Sequence, residues 1–264
     1  MRGWACSAHP FFVGISLLLL LAGLNAQTYS AASVVNSATG LPVLAPNGFG
    51  TIYGKDFALI ERALTPTDLQ AGVLPLTLPG TGVRVFVEGV AAPVWYASPT
   101  QINFLVPPNL LPKRDAAVVV TAFGRTGPAV NVLLAAESPG LFQLDPETPA
   151  AVRLDGTIVR RGMPVERGAV AVLFATGLGR TLPDAQYREV PREAASIVRR
   201  AEFQIRLDGV PVADKYIRYV GAAPGFAGLY QINLVVPEEA ANDPEVRVVL
   251  GAAESQPGLR LPVR

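Results

Sequence analysis

Nucleophilic acyl-transfer and thiol chemistry needs an imidazole base or a thiolate. This chain holds one residue of each kind, His9 and Cys6. Both fall in a segment with the grammar of an export signal. Arg2 supplies a positive start, residues 11–21 an apolar run, and Ala22-Gly23-Leu24-Asn25-Ala26 a small-residue end before Gln27. A signal peptide spanning residues 1–26 is expected, with cleavage after Ala26. Its apolar run is about 11 residues, short of the roughly 20 that span a bilayer, so no membrane span is expected after cleavage. Cys6 precedes the run, whereas a lipid anchor needs a Cys just behind it.

Residues 27–264 then contain no His and no Cys, and their basic and acidic side chains balance at 21 each. Ser-His-Asp and Cys-His sites are excluded, as are zinc sites built on His or Cys, and no disulfide can form. There is no GxxxxGK[ST] phosphate loop and no GxGxxG behind a strand. The three lysines, Lys55, Lys113 and Lys215, occur in no S-x-x-K spacing. Asp-x-Asp-x-Asp runs are absent, so a calcium loop has no support. No cofactor and no metal are expected. One enzymatic alternative survives, a glycan hydrolase using carboxylates alone, because any two acids can meet in space.

Charge also argues against a nucleic-acid partner. Residues 27–137 carry 6 basic and 6 acidic side chains, and residues 138–264 carry 15 of each. Displacing counterions from a phosphate backbone takes a basic excess. The pairs Arg160-Arg161 and Arg199-Arg200 have acidic neighbours in Glu166, Glu193 and Glu202 and read as solvated surface.

The elements that must position any remaining site are duplicated. Gln101-Ile102-Asn103-Phe104-Leu105-Val106-Pro107 returns as Gln231-Ile232-Asn233-Leu234-Val235-Val236-Pro237. Upstream, residues 83–90 match residues 203–210, and residues 50–57 match residues 171–178. Three blocks in one order at nearly one offset mean a domain duplication, since solenoid repeats are far shorter. Strict alternation, as in Val83, Val85, Val87 and in Phe203, Ile205, Leu207, marks half-buried strands. Further strands are expected at residues 116–122, 130–135, 246–250 and 259–263. Short helical connections are expected at 66–71 and 192–200. The fold class is therefore all-β: two tandem immunoglobulin-like β-sandwich domains after a signal peptide, spanning 27–137 and 138–264.

Four groups of residues are candidates for more than structure. Gln101, Asn103, Gln231 and Asn233 repeat between the units; buried backbone groups of adjoining loops are their expected partners. Glu88-Gly89, Asp208-Gly209 and Asp155-Gly156 read as turns before they read as acidic sites. Trp95 aligns with Arg218, and Tyr96 with Tyr219. A position that takes Arg does not face a dry core, so Trp95 is a candidate sugar platform or partner anchor, against packing in a domain contact. Phe226 and Tyr230, in or beside the Gly-rich stretch 221–228, are candidate binding aromatics, against simply pinning their loop.

The runs Asn47-Gly48-x-Gly50-Thr51-Ile52-Tyr53-Gly54, residues 87–107, and Ser138-Pro139-Gly140-Leu141-Phe142 resemble the C-terminal repeat-domain family of secreted, Solibacter-type acidobacterial proteins. The second copy fits as well, through Asp208-Gly209-Val210-Pro211 and residues 223–233, with extra residues around Asp214-Lys215-Tyr216. The resemblance covers nearly all of residues 31–263. It implies sandwiches similar to immunoglobulin-like and IPT-like modules, and an accessory role, since such domains commonly end longer exported proteins. It carries over no catalytic residue. The function expected is that of an exported, non-enzymatic interaction or structural module. Its expected partner is an extracellular protein, an envelope component or a polysaccharide, in the periplasm, on the outer surface or in the medium.

Overall fold

The computed structural model describes residues 26–264, so the expected export signal lies outside the described residues apart from Ala26. Eleven strands precede residue 135: β1 (Val34–Asn36), β2 (Val43–Leu44), β3 (Phe49–Tyr53), β4 (Arg62–Ala63), β5 (Val83–Val87), β6 (Val90–Ala92), β7 (Val94–Ala97), β8 (Gln101–Leu105), β9 (Lys113–Ala122), β10 (Arg125–Thr126) and β11 (Val130–Leu134). They make a 5-stranded sheet, β1-β3-β8-β7-β4, packed on a 6-stranded sheet, β2-β11-β9-β5-β6 with β10 beside β9. The inward residues Ile52, Val85, Ile102, Phe104 and Val118 share one buried core between them.

The plan then repeats. β12 (Gly140–Leu141), β13 (Gln143–Asp145), β14 (Thr148–Pro149), β15 (Ala151–Arg153), β16 (Val170–Thr176), β17 (Thr181–Leu182), β18 (Ala195–Ile197), β19 (Phe203–Leu207), β20 (Val210–Pro211), β21 (Ile217–Ala222), β22 (Tyr230–Val235), β23 (Val246–Leu250) and β24 (Ala253–Glu254) follow. A 7-stranded sheet, β12-β16-β22-β21-β18-β17 with β15 also on β16, faces the 4-stranded sheet β20-β19-β23-β24, and β13 pairs β14. Leu173, Ile205, Ile232, Leu234 and Val248 lie in the second core. The chain is all-β, two immunoglobulin-like sandwiches in tandem.

Period-2 patterning sets the faces, and the turns set the register. Glu88 and Gly89 both have positive φ (49° and 74°), as do Asp208 and Gly209 (48° and 79°). Two such residues between Val87↔Val90 and between Leu207↔Val210 are the turn whose twist suits a hairpin. Their acids secure the neighbouring strand: Ala117 N–H donates to Glu88 (2.6 Å), and Glu245 N–H to Asp208 (2.9 Å). Asp155 likewise accepts from Thr157 N–H (2.9 Å) within its turn.

Two expectations need correction. Residues 192–200 form no two-turn helix; Ala195–Ile197 is strand β18, held by pairing with Gly221 and Ala222 of β21, and only Arg200 opens a three-residue 3-10 helix, Arg200–Glu202. Residues 259–263 form no ladder, only isolated bridges through Arg260 and Val263. Around residue 66 the expected turn is a three-residue 3-10 helix, Pro66–Asp68. Among the described residues, no helix is long and apolar enough to cross a membrane.

The two sandwiches meet at a polar and aromatic seam. Phe49 N–H donates to Thr176 Oγ1 (2.9 Å), and Asn36 Nδ2 to Ser138 O (2.8 Å). Leu74 N–H donates to Arg188 O (2.7 Å), Arg188 Nε returns a bond to Leu74 O (2.8 Å), and Tyr187 OH reaches Ala91 O (2.5 Å). Leu74, Leu105 and Ala227 form a small dry cluster there, with Trp95 and Val190 at its margin.

Candidate functional site

The outer face of the β1-β3-β8-β7-β4 sheet carries the residues that the first core does not use. Ile102 and Phe104 point inward, so Gln101, Asn103 and Leu105 point out. On β3 the same parity puts Phe49, Thr51 and Tyr53 outside, with Thr51 opposite Asn103 and Tyr53 opposite Gln101. On β7 a bulge between Val94 and Tyr96 sets Tyr96 opposite Asn103. The second sandwich repeats the arrangement. Phe174 lies opposite Gln231 and Val172 opposite Asn233, and a bulge between Ile217 and Tyr219 sets Tyr219 opposite Asn233.

Each amide pair is bonded internally rather than to loop backbones, which corrects the expectation for these four residues. Gln101 Nε2 donates to Asn103 Oδ1 (2.8 Å), and Gln231 Nε2 to Asn233 Oδ1 (2.8 Å). Thr51 Oγ1 also donates to Asn103 Oδ1 (3.1 Å), and Ser37 and Thr51 share a hydroxyl bond (2.8 Å). This fixes the amide planes and leaves Gln101 Oε1 and Asn103 Nδ2 without a protein partner among the described residues, yet not closed to solvent. Tyr53 stands 50% exposed beside the first pair; Tyr96, Phe174 and Tyr219 are half-buried. Tyr219 OH is tied down to Ala222 O (2.7 Å). The outward rows of β3, β8, β16 and β22 carry no charged side chain; Arg218, in the second bulge, and Lys55, two residues past Tyr53, are cations at their margins.

Such a surface suits neutral, hydroxyl-rich ligands. Aromatic rings offer apolar area for the flat faces of sugar rings, and oriented amides offer a donor and an acceptor side by side.

The three aromatics singled out from sequence have different places. Trp95 packs edge-on against Phe49 (centroids 5.2 Å apart) at the margin of the seam cluster, with its Nε1 buried and unpartnered. It serves the domain contact rather than an open platform, because the second sandwich covers the first bulge and leaves its own, with Arg218, in solvent. Tyr230 is 0% exposed and meets no ligand from solution. Its hydroxyl donates to Gly179 O and accepts from Asn47 Nδ2 (3.1 Å), and burial pushes its pKa well above the usual phenol range. Phe226 is 54% exposed, on the loop between β21 and β22. Tyr53, Tyr96 and Phe174 were missed as site residues. The usable signal was the repeat, which aligns Tyr53 with Phe174 and Tyr96 with Tyr219, an aromatic in both copies.

Among the open grooves along the seam, two are the larger. One, of about 400 Å³, runs between Pro46-Asn47, Pro108–Leu111 residues and the Gly179–Tyr187 stretch. The other, of about 320 Å³, is bordered by Asp184, Glu189 and Glu193. Asp184 is held by Arg180. Every displaced carboxyl pKa is displaced downward, by hydrogen bonds first: Asp68 by the Thr65 hydroxyl, Glu88 by Lys113, Asp145 and Asp155 by backbone N–H groups, Glu166 by Arg264 and Glu202 by Arg199.

No family model matches the chain, and no curated protein matches its sequence. Solved structures do. SGBP-B of the Bacteroides ovatus mixed-linkage glucan utilization locus, in complex with a mixed-linkage heptasaccharide, aligns over 84% of this chain and 42% of its own, at 9% identity and a TM-score of 0.32. Surface glycan-binding protein PbSGBP-B from Prevotella bryantii aligns over 83% and 37%, at 9% identity and 0.26. The tandem Ig repeats of Dlar align over 91% and 96%, at 12% identity and 0.23. This chain spans about two-fifths of the length of the two glycan-binding proteins.

Proposed function

We propose that this chain is an exported, non-enzymatic binding module for an uncharged polysaccharide, held on the outer faces of the β3/β8 and β16/β22 strand pairs. The observation that carries the proposal is the duplicated, uncharged face of aromatics and internally bonded amides. In a chain with 43 charged side chains, an uncharged pair of rows repeated in both units favours a neutral ligand over a phosphate or a polyion. The sequence of residues 1–26 supports export. Carboxylate-only hydrolysis needs an acid whose pKa is raised so that it can donate a proton; Asp68, Glu88, Asp145, Asp155, Glu166 and Glu202, held low by hydrogen bonds, do not suit that role.

Native affinity electrophoresis through gels containing soluble β-glucan, xylan or galactomannan tests the proposal. At least one polymer is expected to retard the protein. Tyr53→Ala and Gln101→Ala are expected to weaken that retardation about tenfold each, the ~1–3 kcal/mol range of one lost aromatic contact or hydrogen bond. Circular dichroism should not change. Unretarded migration in every neutral gel would reject the polysaccharide as ligand.

A further inference from the structure

The two faces stand in line, and that alignment has a functional meaning. β3 begins at the seam with Phe49 and runs away from it, whereas β16 runs towards the seam and ends there at Thr176, which bonds Phe49. β22 starts beyond Gly228, whose Cα packs so closely on Leu105, the seam end of β8, that a Cβ would collide with that side chain. On the far side Gly140 of β12 abuts Ala38 and Thr39, just past β1. Strand therefore faces equivalent strand across the seam: β12 beside β1, β16 into β3, β22 into β8. The sandwiches are related mainly by translation along their strands. Gln231-Asn233 and Gln101-Asn103 become two copies of one station on one axis. The path runs from Gln231 to Gly228 and from Leu105 to Gln101. At about 3.3 Å per residue plus one contact, the stations are roughly 25 Å apart.

We infer that the two stations bind one unbranched neutral polysaccharide chain at the same time, the chain lying along the strand axis and crossing the seam. This rests on the function proposed above and deepens it. A polysaccharide repeats by translation, and two binding stations related by translation present the same groups to two segments of it. The seam bonds fix the spacing, so the second contact follows the first at high effective concentration and without reordering the protein. Ala227 and Gly228 of the β21–β22 loop cover Leu105 at the seam, so a chain crossing it would pass over that loop, on which Phe226 is 54% exposed.

Size-graded oligosaccharides of whichever polymer retards the protein, titrated calorimetrically, provide the test. Short oligomers that cover one station are expected to bind weakly, with two per protein. Oligomers longer than about 25 Å are expected to bind one per protein and at least a hundredfold tighter, the lower end of what linked sites gain. Gln231→Ala/Asn233→Ala and Gln101→Ala/Asn103→Ala should each return long oligomers to the short-oligomer affinity. Gln101→Met and Gln231→Met, which keep the side-chain length, guard against loss of fold. Phe226→Ala should weaken only the long oligomers. Equal affinity for short and long oligomers, or station variants that merely halve the stoichiometry, would overturn the single-chain arrangement and leave the binding function standing. Absence of binding by every oligomer and its parent polymer would overturn both.

Discussion

Tyr230 shows how one side chain can be mistaken for a ligand contact and still matter. It sits beside a Gly-rich loop in sequence, but alternation along β22 puts it on the inward row with Ile232 and Leu234. Its hydroxyl joins Gly179 of its own sandwich to Asn47 of the other. Burial raises its pKa, so the unfolded chain gives up that proton first once pH passes ~10. Its contribution is full below that pH and is lost as pH climbs towards the folded-state value. Tyr230→Phe is expected to cost about 1–3 kcal/mol at neutral pH, since two polar groups lose a partner. It should also flatten the fall in stability above pH ~10. Urea unfolding at both pH values measures each effect. The aligned pair Trp95 and Arg218 carried a different clue. A repeat position that is aromatic in one copy and cationic in the other is covered in one copy only. Sequence alone could not say that the cover was the second sandwich, because nothing local encodes a contact between distant strands.

At the scale of elements, the hairpins and alternating strands were legible because their causes are local: positive-φ Asp-Gly and Glu-Gly turns, and period 2 in β5 and β19. β18 was not legible, because the Glu-Ala-Ala run leading into it favours helix and pairing with β21 and β17 overrides it. The amide pairs were visible as a repeat, but their bonds to each other required the strand geometry. Two glycines separate conformational strain from collision. Gly209, at φ 79°, has open space where a Cβ would be, so Gly209→Ala should cost only the left-handed penalty of about 1 kcal/mol. Gly228, at φ 78°, would press a Cβ into Leu105 and Phe49. Gly228→Ala should cost about 1–3 kcal/mol more, as overpacking does. Chemical denaturation midpoints of the two variants check the order.

The molecule as a whole is tied by one main-chain and one side-chain bond between Leu74 and Arg188, by Asn36 to Ser138 and by the Phe49–Thr176 bond. With that many links, and a dry cluster beneath them, the two sandwiches are expected to melt in one transition. Calorimetric and van't Hoff enthalpies should agree. Removing two of the links with Asn36→Ala and Arg188→Ala should split the melt into two.

Trp95 makes that seam visible to light. It is the sole indole among the described residues, it has no hydrogen-bond partner for its N–H, and it rests against Phe49 at the margin of the contact. An indole in that setting fluoresces to the blue, and parting the sandwiches would hydrate it and move its emission to the red while both cores stayed folded. The protein thus carries its own dye at the joint on which the spacing of its two faces depends.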